Sequence, residues 1–332
     1  MHKLPRRMFL KSLGLATAVL PLPGVMKPAY ARTQVITVAS LLGEDKPETK
    51  IWRQIAARVD ARLPGRFRFN IVANGALGGE KEVAESMRLG SVQASLSTVS
   101  ALSGWVPQLQ LLDLPFLFRD GDHLKRVVHG NIGDSLRAGL LEQQFVVGGF
   151  IDYGARHLLT KEPVRTPQDI AGQKIRVIQS PLHTKLWSAF GAVPVGIPIT
   201  ETYNALASGV ADAMDLTKSA YAGFKLYEVV PCMTQTGHIR ASGVVYFASS
   251  FWSGLSDDEK RVLSEETAAG ADYFNQLIVE DEAASVQTAL SHGGQLFEPE
   301  SLDQWRSGAT AVWRDFAGVV GGMSRIDAAE AA

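Results

Sequence analysis

The sequence predicts an α/β fold of two similar lobes that face a shared crevice. Three observations lead there. Strand and helix alternate through the first third of the chain, with strands at 34–39 and 66–72 and helices at 48–62 and 80–89. Two distant segments then repeat one pattern: Met87-Arg-Leu-Gly90-Ser-Val-Gln-Ala94-Ser-Leu-Ser-Thr98 and Leu206-Ala-Ser-Gly209-Val-Ala-Asp-Ala213-Met-Asp-Leu-Thr217. Each reads as a helix end, a glycine stop, a short strand and a loop. Finally, 256–290 holds helical spacing without a proline, and roughly 35 residues at 1.5 Å each make a helix about 50 Å long. That exceeds one small domain, so the helix is expected to run along both lobes.

The elements follow in order. Val35, Ile36 and Val38 are strand formers. Leu41 opens the loop that leaves this strand's C-terminal end. Ile51, Ile55 and Val59 recur every four residues in the first helix. The turn Gly75-Ala-Leu-Gly78-Gly79 leads to the second helix, and 111–118 is a dense apolar block broken by Pro115. A helix starts at Asp122 and runs to 128, and 145–150 is a wholly apolar strand. Ile151-Asp-Tyr-Gly154-Ala-Arg156 follows, so Arg156 is expected just past the strand end. Thr166-Pro-Gln-Asp-Ile-Ala-Gly-Gln-Lys-Ile-Arg-Val177 is one helical turn followed by a strand: Asp169 reaches back to Thr166, Gly172 stops the turn, and 174–178 alternates. Helices are expected at 181–190, 200–206 and 221–229, and a strand at 243–249. Ser256 and Glu259 form a capping box for the long helix, and 305–320 is a last amphipathic helix.

Residues 1–31 form an export signal. Arg6-Arg7-Met-Phe-Leu-Lys11 is a twin-arginine pattern, an apolar run spans 13–25, and Ala29-Tyr-Ala31 is a small-x-small cleavage site. A general secretion signal or a basic tail are the alternatives, and Pro5 departs from the usual Ser or Thr before the arginine pair. Cleavage after Ala31 removes five of the 33 basic residues and none of the 34 acidic ones, leaving a formal charge of −6. A mildly acidic exported chain argues against a nucleic-acid partner. No later apolar stretch reaches the roughly 20 residues of a membrane helix, so no stable membrane insertion is expected. Cys232 is the only cysteine, which excludes an internal disulfide and a thiolate metal site. G-x-G-x-x-G and Gly-Lys-Ser/Thr loops are absent, so no nucleotide cofactor is expected.

Arg176 lies on a strand, where a rigid guanidinium can grip a carboxylate with two parallel hydrogen bonds; a surface ion pair is the plainer alternative. Arg156 is the second arginine assigned to the crevice. Ligands of open α/β sheets bind outside the carboxyl ends of strands, which sets Ser97 and Thr98 opposite Asp215, Leu216 and Thr217, with Leu41 beside them. Local backbone satisfaction is the competing account of these hydroxyls. Cys232 and His238 raise the rival reading of a secreted hydrolase, but there is no Gly-x-Ser-x-Gly or His-Glu-x-x-His motif. A ligand-binding sensor subunit would use the same pocket as a binding protein.

Six motifs then carry a resemblance over essentially the whole mature chain. Gly75-Ala-Leu-Gly-Gly, Asp113-Leu-Pro-Phe-Leu-Phe118, the Thr166–Val177 stretch, Gly191-Ala-x-Pro194, Thr202-Tyr-Asn-Ala-Leu206 and Phe251-Trp-x-x-Leu-Ser256 occur in the order seen in the extracytoplasmic solute-binding proteins of TRAP transporters, the DctP-like type. The resemblance implies a two-lobed periplasmic binding protein fold, not an enzyme, that closes on a small organic anion. It would deliver this ligand to small and large membrane subunits driven by an ion gradient. Lobe I would comprise 32–152 and 241–275, and lobe II 153–240 and 276–332. Arg176 matches the arginine that pairs with the substrate carboxylate, Arg156 a second binding arginine, and Gln179 a polar pocket position. Where sialic-acid and dicarboxylate binders have Gln-Glu-Asn, this chain has Met214-Asp215-Leu216. Leu216 offers no hydrogen bond, which implies a less polar ligand portion there, with Thr217 or Lys218 as possible substitutes.

Overall fold

A computed structural model describes residues 33–332; the export-signal reading of residues 1–31 lies outside the described residues. The chain runs β1 (Gln34–Ala39), α1 (Pro47–Arg62), β2 (Phe67–Val72), α2 (Glu80–Arg88), β3 (Ala94–Thr98), α3 (Val99–Leu102), α4 (Gly121–Val128), α5 (Asn131–Glu142) and β4 (Phe145–Thr160). It continues with β5 (Lys174–Val177), α6 (Pro181–Ala189), β6 (Val193–Gly196), α7 (Ile199–Ala207), β7 (Ala213–Thr217), α8 (Lys218–Gly223) and β8 (Cys232–Ala248). The last elements are α9 (Ser249–Ser253), α10 (Asp257–Ser291), β9 (Gln295–Phe297), α11 (Leu302–Val320) and α12 (Met323–Glu330). The α/β class and the alternation of its first third are as the sequence predicts.

All the described strands join one sheet in the order β2-β1-β3-β8-β4-β7-β5-β6, with β9 added beside β8. Its centre is an antiparallel ribbon of the two long strands β4 and β8. A parallel triplet flanks each side: β2-β1-β3 on β8, and β7-β5-β6 on β4. Both triplets join the ribbon antiparallel, β3 through Thr98 opposite Gly243 and β7 through Thr217 opposite Arg156. The triplets therefore run in opposite directions, and their C-terminal ends converge at mid-ribbon. The paired segments noted in the sequence are these two ends. Their stops, Gly90 and Gly209, take matching left-handed φ of +80° and +78°, which glycine alone adopts without strain.

Three expectations need correction. β4 does not end at Phe150 but continues through Arg156 to Thr160, and β8 begins at Cys232 rather than Gly243. Glycines at 154 and 237 resemble strand ends in sequence, yet here they sit at positive φ inside the strands. The ribbon absorbs the irregularity as bulges, with register shifts at Val147/Gly149, Asp152/Gly154 and Arg156/Leu158. The helix expected at 221–229 is also interrupted: Lys225 adopts φ +54° between α8 and a 3-10 turn at Leu226–Glu228.

The long helix α10 is present over 35 residues, with both arms of the Ser256–Glu259 capping box formed. It packs on α1 and β4 and, further along, on α8. Arg58 and Arg62 from α1 pair with Glu266. Lys46, from the loop before α1, donates to Ser285 at 2.9 Å and pairs with Asp281. The core beneath is continuous across β1, β3, β8 and β4, and Trp52, Tyr246, Phe247 and Phe274 are fully buried in it. A smaller cluster holds Met214, Leu216 and Tyr221 under β7. No described helix is long and apolar enough to cross a membrane.

The helix lies so close to the ribbon that β4 has no side chains at the crossing. A Cβ on Gly148 would stand 2.3 Å from Thr267 Cγ2, and one on Gly149 2.7 Å from the Ala271 methyl. Thr267 is fully buried and cannot swing away. Gly148→Ala should therefore destabilise the protein by about 1–3 kcal/mol through overpacking, measured by urea denaturation. A change within experimental error would show that the helix can lift without loss.

Candidate functional site

The converging strand ends enclose a cavity of about 510 Å³, mouth included. Thr98 reaches it from β3, Arg176 and Ile178 from β5 and the residue after it, and Leu216 and Thr217 from β7. The ribbon floor supplies Tyr153, Arg156 and Ala241. Tyr153 and Arg156 are three residues apart, and unbroken alternation would send them to opposite faces. The bulge at Asp152/Gly154 leaves Tyr153 unpaired on β8 and lets both line one cavity. Leu41, at the end of β1, completes the wall together with Leu42 and Phe224.

Arg156 and Arg176 are both buried but differ in their partners. Arg156 Nε donates to Asp215 Oδ2 at 2.5 Å and Nη2 to the Asp215 carbonyl at 2.7 Å. Asp215 also accepts from His238 Nε2 at 3.1 Å if that nitrogen carries the proton. Burial works against the Asp215 charge, but Arg156 and His238 outweigh it and hold the carboxyl well below the usual range. Arg176 has no such counter-ion. Its Nε donates to the Ile197 carbonyl at 2.8 Å, and its terminal nitrogens make no hydrogen bond within the described protein. Burial, then the like charge of Arg156, brings its pKa down to about 10, so it remains a cation at neutral pH.

Sequence reasoning missed two acids. Glu80, the first residue of α2, accepts from the Thr98 backbone N–H at 2.5 Å and from the Ser97 hydroxyl at 3.1 Å. Burial raises its pKa against those hydrogen bonds. Glu48, in the first turn of α1, accepts from the Leu41 N–H at 3.0 Å. Burial, with Glu80 nearby, pushes it up to about 8, so it is mostly a neutral acid at pH 7. Both line the cavity. The signal available was position: each opens a helix just after the C-terminal end of a strand. Helix-start acids are so common that this alone did not single them out. Tyr153 also went unassigned, and its hydroxyl has no hydrogen-bond partner among the described residues.

Of the residues chosen from sequence, Arg176, Arg156, Leu216, Thr217, Thr98 and Leu41 border this cavity. Gln179 borders an adjoining one of about 360 Å³, and Glu80, Arg176, Ile178 and Ile199 form the partition between the two. Ser97 and Asp215 are not on the wall of either. Strand alternation turns Ser97 toward Glu80 and Asp215 toward Arg156, so each backs a residue that is on the wall. Cys232 and His238 do not meet as a catalytic pair: the thiol bonds the Lys161 carbonyl, while His238 engages Thr236 and Asp215 with its two nitrogens. Burial raises the thiol pKa, which opposes nucleophilic use. The described residues contain no cluster of three metal-ligating side chains.

An α/β fold whose strand ends enclose a charge-lined cavity has the architecture of a ligand-binding protein. Residues 38–318 match the family model for bacterial extracellular solute-binding proteins, family 7, and this chain belongs to that family. It is therefore a solute-binding protein and not an enzyme, which removes the hydrolase alternative. A solute-binding protein of Sulfitobacter sp. strain NAS-14.1 is 30% identical over 91% of this chain and 92% of its own length. The C4-dicarboxylate-binding periplasmic protein DctP of Shewanella loihica is 26% identical over 97% of both. Among solved structures, a TRAP periplasmic solute-binding protein from Bradyrhizobium sp. BTAi1 in complex with galacturonate superposes with a TM-score of 0.87 at 27% identity. It covers 90% of this chain and 100% of its own. One from Shewanella oneidensis with bound succinate gives 0.86 at 27% identity, over 90% and 99%. The two-lobed α/β fold is that of these binding proteins.

Because Glu48 titrates near pH 8 when folded against 4.5 ordinarily, the folded state keeps a proton that the unfolded chain loses first. Its stabilising effect is complete below about pH 4.5 and is lost as pH rises through about 8. Glu48→Gln should remove that dependence. Between pH 6 and pH 9 the wild type should lose on the order of 2 kcal/mol more than the variant, read by urea unfolding at both pH values. Parallel losses would show that Glu48 is not held neutral.

Proposed function

We propose that this protein binds a small organic anion by its carboxylate between Arg176 and Arg156 and delivers it to the small and large membrane subunits of a TRAP transporter. The observation that carries the reading is the Arg176 guanidinium: buried, charged and, among the described residues, without a carboxylate in salt-bridge contact, beside a cavity. Burying an unpaired cation is strongly unfavourable, and an incoming carboxylate is the group that would offset it. Arg156 is held by Asp215 but its Nη1 makes no hydrogen bond among the described residues, so it can share the same anion. Thr98 and Thr217 would face the ligand from opposite strand ends, Leu41 and Leu216 would contact its apolar portion, and Gln179 would act through the adjoining cavity.

The relatives support the ligand class. The Shewanella loihica protein is named for C4-dicarboxylates, and the two solved neighbours at 27% identity hold galacturonate and succinate. The chain would work in the periplasm after export through the signal in residues 1–31, by the twin-arginine route. Lobe I would be 32–152 with 241–275, and lobe II 153–240 with 276–332, so that the crevice between them is the cavity at mid-ribbon.

A thermal-shift panel of organic acids with neutral isosteres tests the reading. A ligand of the folded form raises apparent stability by about 2.7 kcal/mol at 100 times its dissociation constant. Arg176→Ala should weaken a carboxylate hit by about 2–5 kcal/mol, roughly 30- to several-thousand-fold. Undiminished affinity in that variant would remove Arg176 from the site, and shifts from neutral compounds alone would sink the anion reading.

A further inference from the structure

The cavity wall carries more acid than base once internal pairs are set aside. Arg156 is paired with Asp215, leaving Arg176 as the one cation on the wall with no salt bridge among the described residues. Glu48 and Glu80 stand on the same wall. Whichever protonation state each adopts, it contributes a neutral acid or a negative charge, never a positive one. Of the nearby cations, Lys46 is engaged with Asp281 and Arg240 with Asp152, while Lys218, next to Thr217, is not on the cavity wall and its charge acts on Glu282 and His157. Lys81 borders only the adjoining cavity, beyond the Arg176–Ile178 partition, where it is exposed and has Glu82 beside it.

Resting on the carboxylate reading above, we infer that the ligand bears a single carboxylate and an uncharged remainder, and that the cavity discriminates against the corresponding dicarboxylate. One carboxylate meets Arg176 and the free face of Arg156. A second would enter a space bounded by two glutamates and apolar side chains, with no cation to receive it. The wall there suits hydroxyl or carbonyl oxygens instead. Among the described residues the Tyr153 hydroxyl has no partner, Glu48 Oε2 accepts no hydrogen bond, and the Thr217 hydroxyl is likewise unengaged. Glu48, held mostly protonated by burial, can donate a hydrogen bond to an uncharged oxygen as well as accept one. The apolar side of the wall, with Leu41, Leu42, Leu216 and Phe224, adds no countercharge.

Isothermal titration at pH 7 with probes paired carbon for carbon tests this: D-galacturonate against galactarate, D-erythronate against meso-tartrate, and butyrate against succinate. Within a pair that binds, the monocarboxylate should be tighter by roughly 100-fold. That ratio is what one like charge at about 6 Å gives at an effective dielectric near 20. Glu80→Gln should narrow it by tenfold or more in favour of the dicarboxylate. A dicarboxylate that binds the wild type as tightly as its partner overturns this inference and leaves the carboxylate reading intact. Equal losses for both members of a pair in Glu80→Gln would also overturn it, by showing that Glu80 supports the wall without setting the charge. Binding of neutral galactose with no response to any acid would overturn the carboxylate reading itself. The wild-type ratio decides the matter even where the variant does not fold.

Discussion

The Arg156–Asp215 pair is the interaction on which the site depends. Both side chains are withdrawn from water, which costs several kcal/mol per ion before any attraction is counted. The attraction offsets this because the geometry is close and doubled: Nε meets the carboxylate and Nη2 the carbonyl of the same residue. His238 adds a third contact from β8. Three strands, β4, β7 and β8, are thus tied together at one carboxylate. The pair also fixes the polarity of the cavity, since it removes one arginine from the charge balance and leaves the other outstanding.

Glu80 plays the corresponding part on the opposite triplet. It ties the start of α2 to the end of β3 through the Thr98 N–H and the Ser97 hydroxyl. Each parallel triplet therefore ends in a carboxylate fixed by its own neighbours, one facing an arginine and the other facing the cavity. The ribbon keeps these ends in register by hydrogen bonding, and its bulges turn Tyr153 and Arg156 the same way.

Much of this arrangement was legible in the sequence where a residue's role followed from local periodicity. Arg176 could be assigned because the alternation of Lys174–Val177 makes a strand and fixes a face. The paired glycine stops and the capping box of α10 were legible for the same reason. What could not be read depended on partners far away. Gly154 looks like a strand end until β8 is beside it, and Asp215 looks like a binding residue until Arg156 takes its carboxylate. Glu48 and Glu80 were hidden by a sufficient local explanation as acids in first helical turns. The helix α5 carries two interior glycines, Gly133 and Gly139, and α12 directly follows Gly321-Gly322, so local sequence argued against a helix at both.

The converging triplets also bear on how the chain assembles. β3 gains its ribbon partner only when residues 243–247 arrive, about 150 positions later in the chain. The cavity floor needs Ala241 from the same strand. No N-terminal fragment that stops short of β8 can hold this cavity, although it would contain both arginines. Pairings of such long range close slowly, because the entropy of the intervening loop is lost before the contacts form. Any molecule seated at mid-ribbon adds its affinity to the cohesion of sheet halves far apart in sequence, so occupancy and the integrity of the whole sheet are thermodynamically one equilibrium.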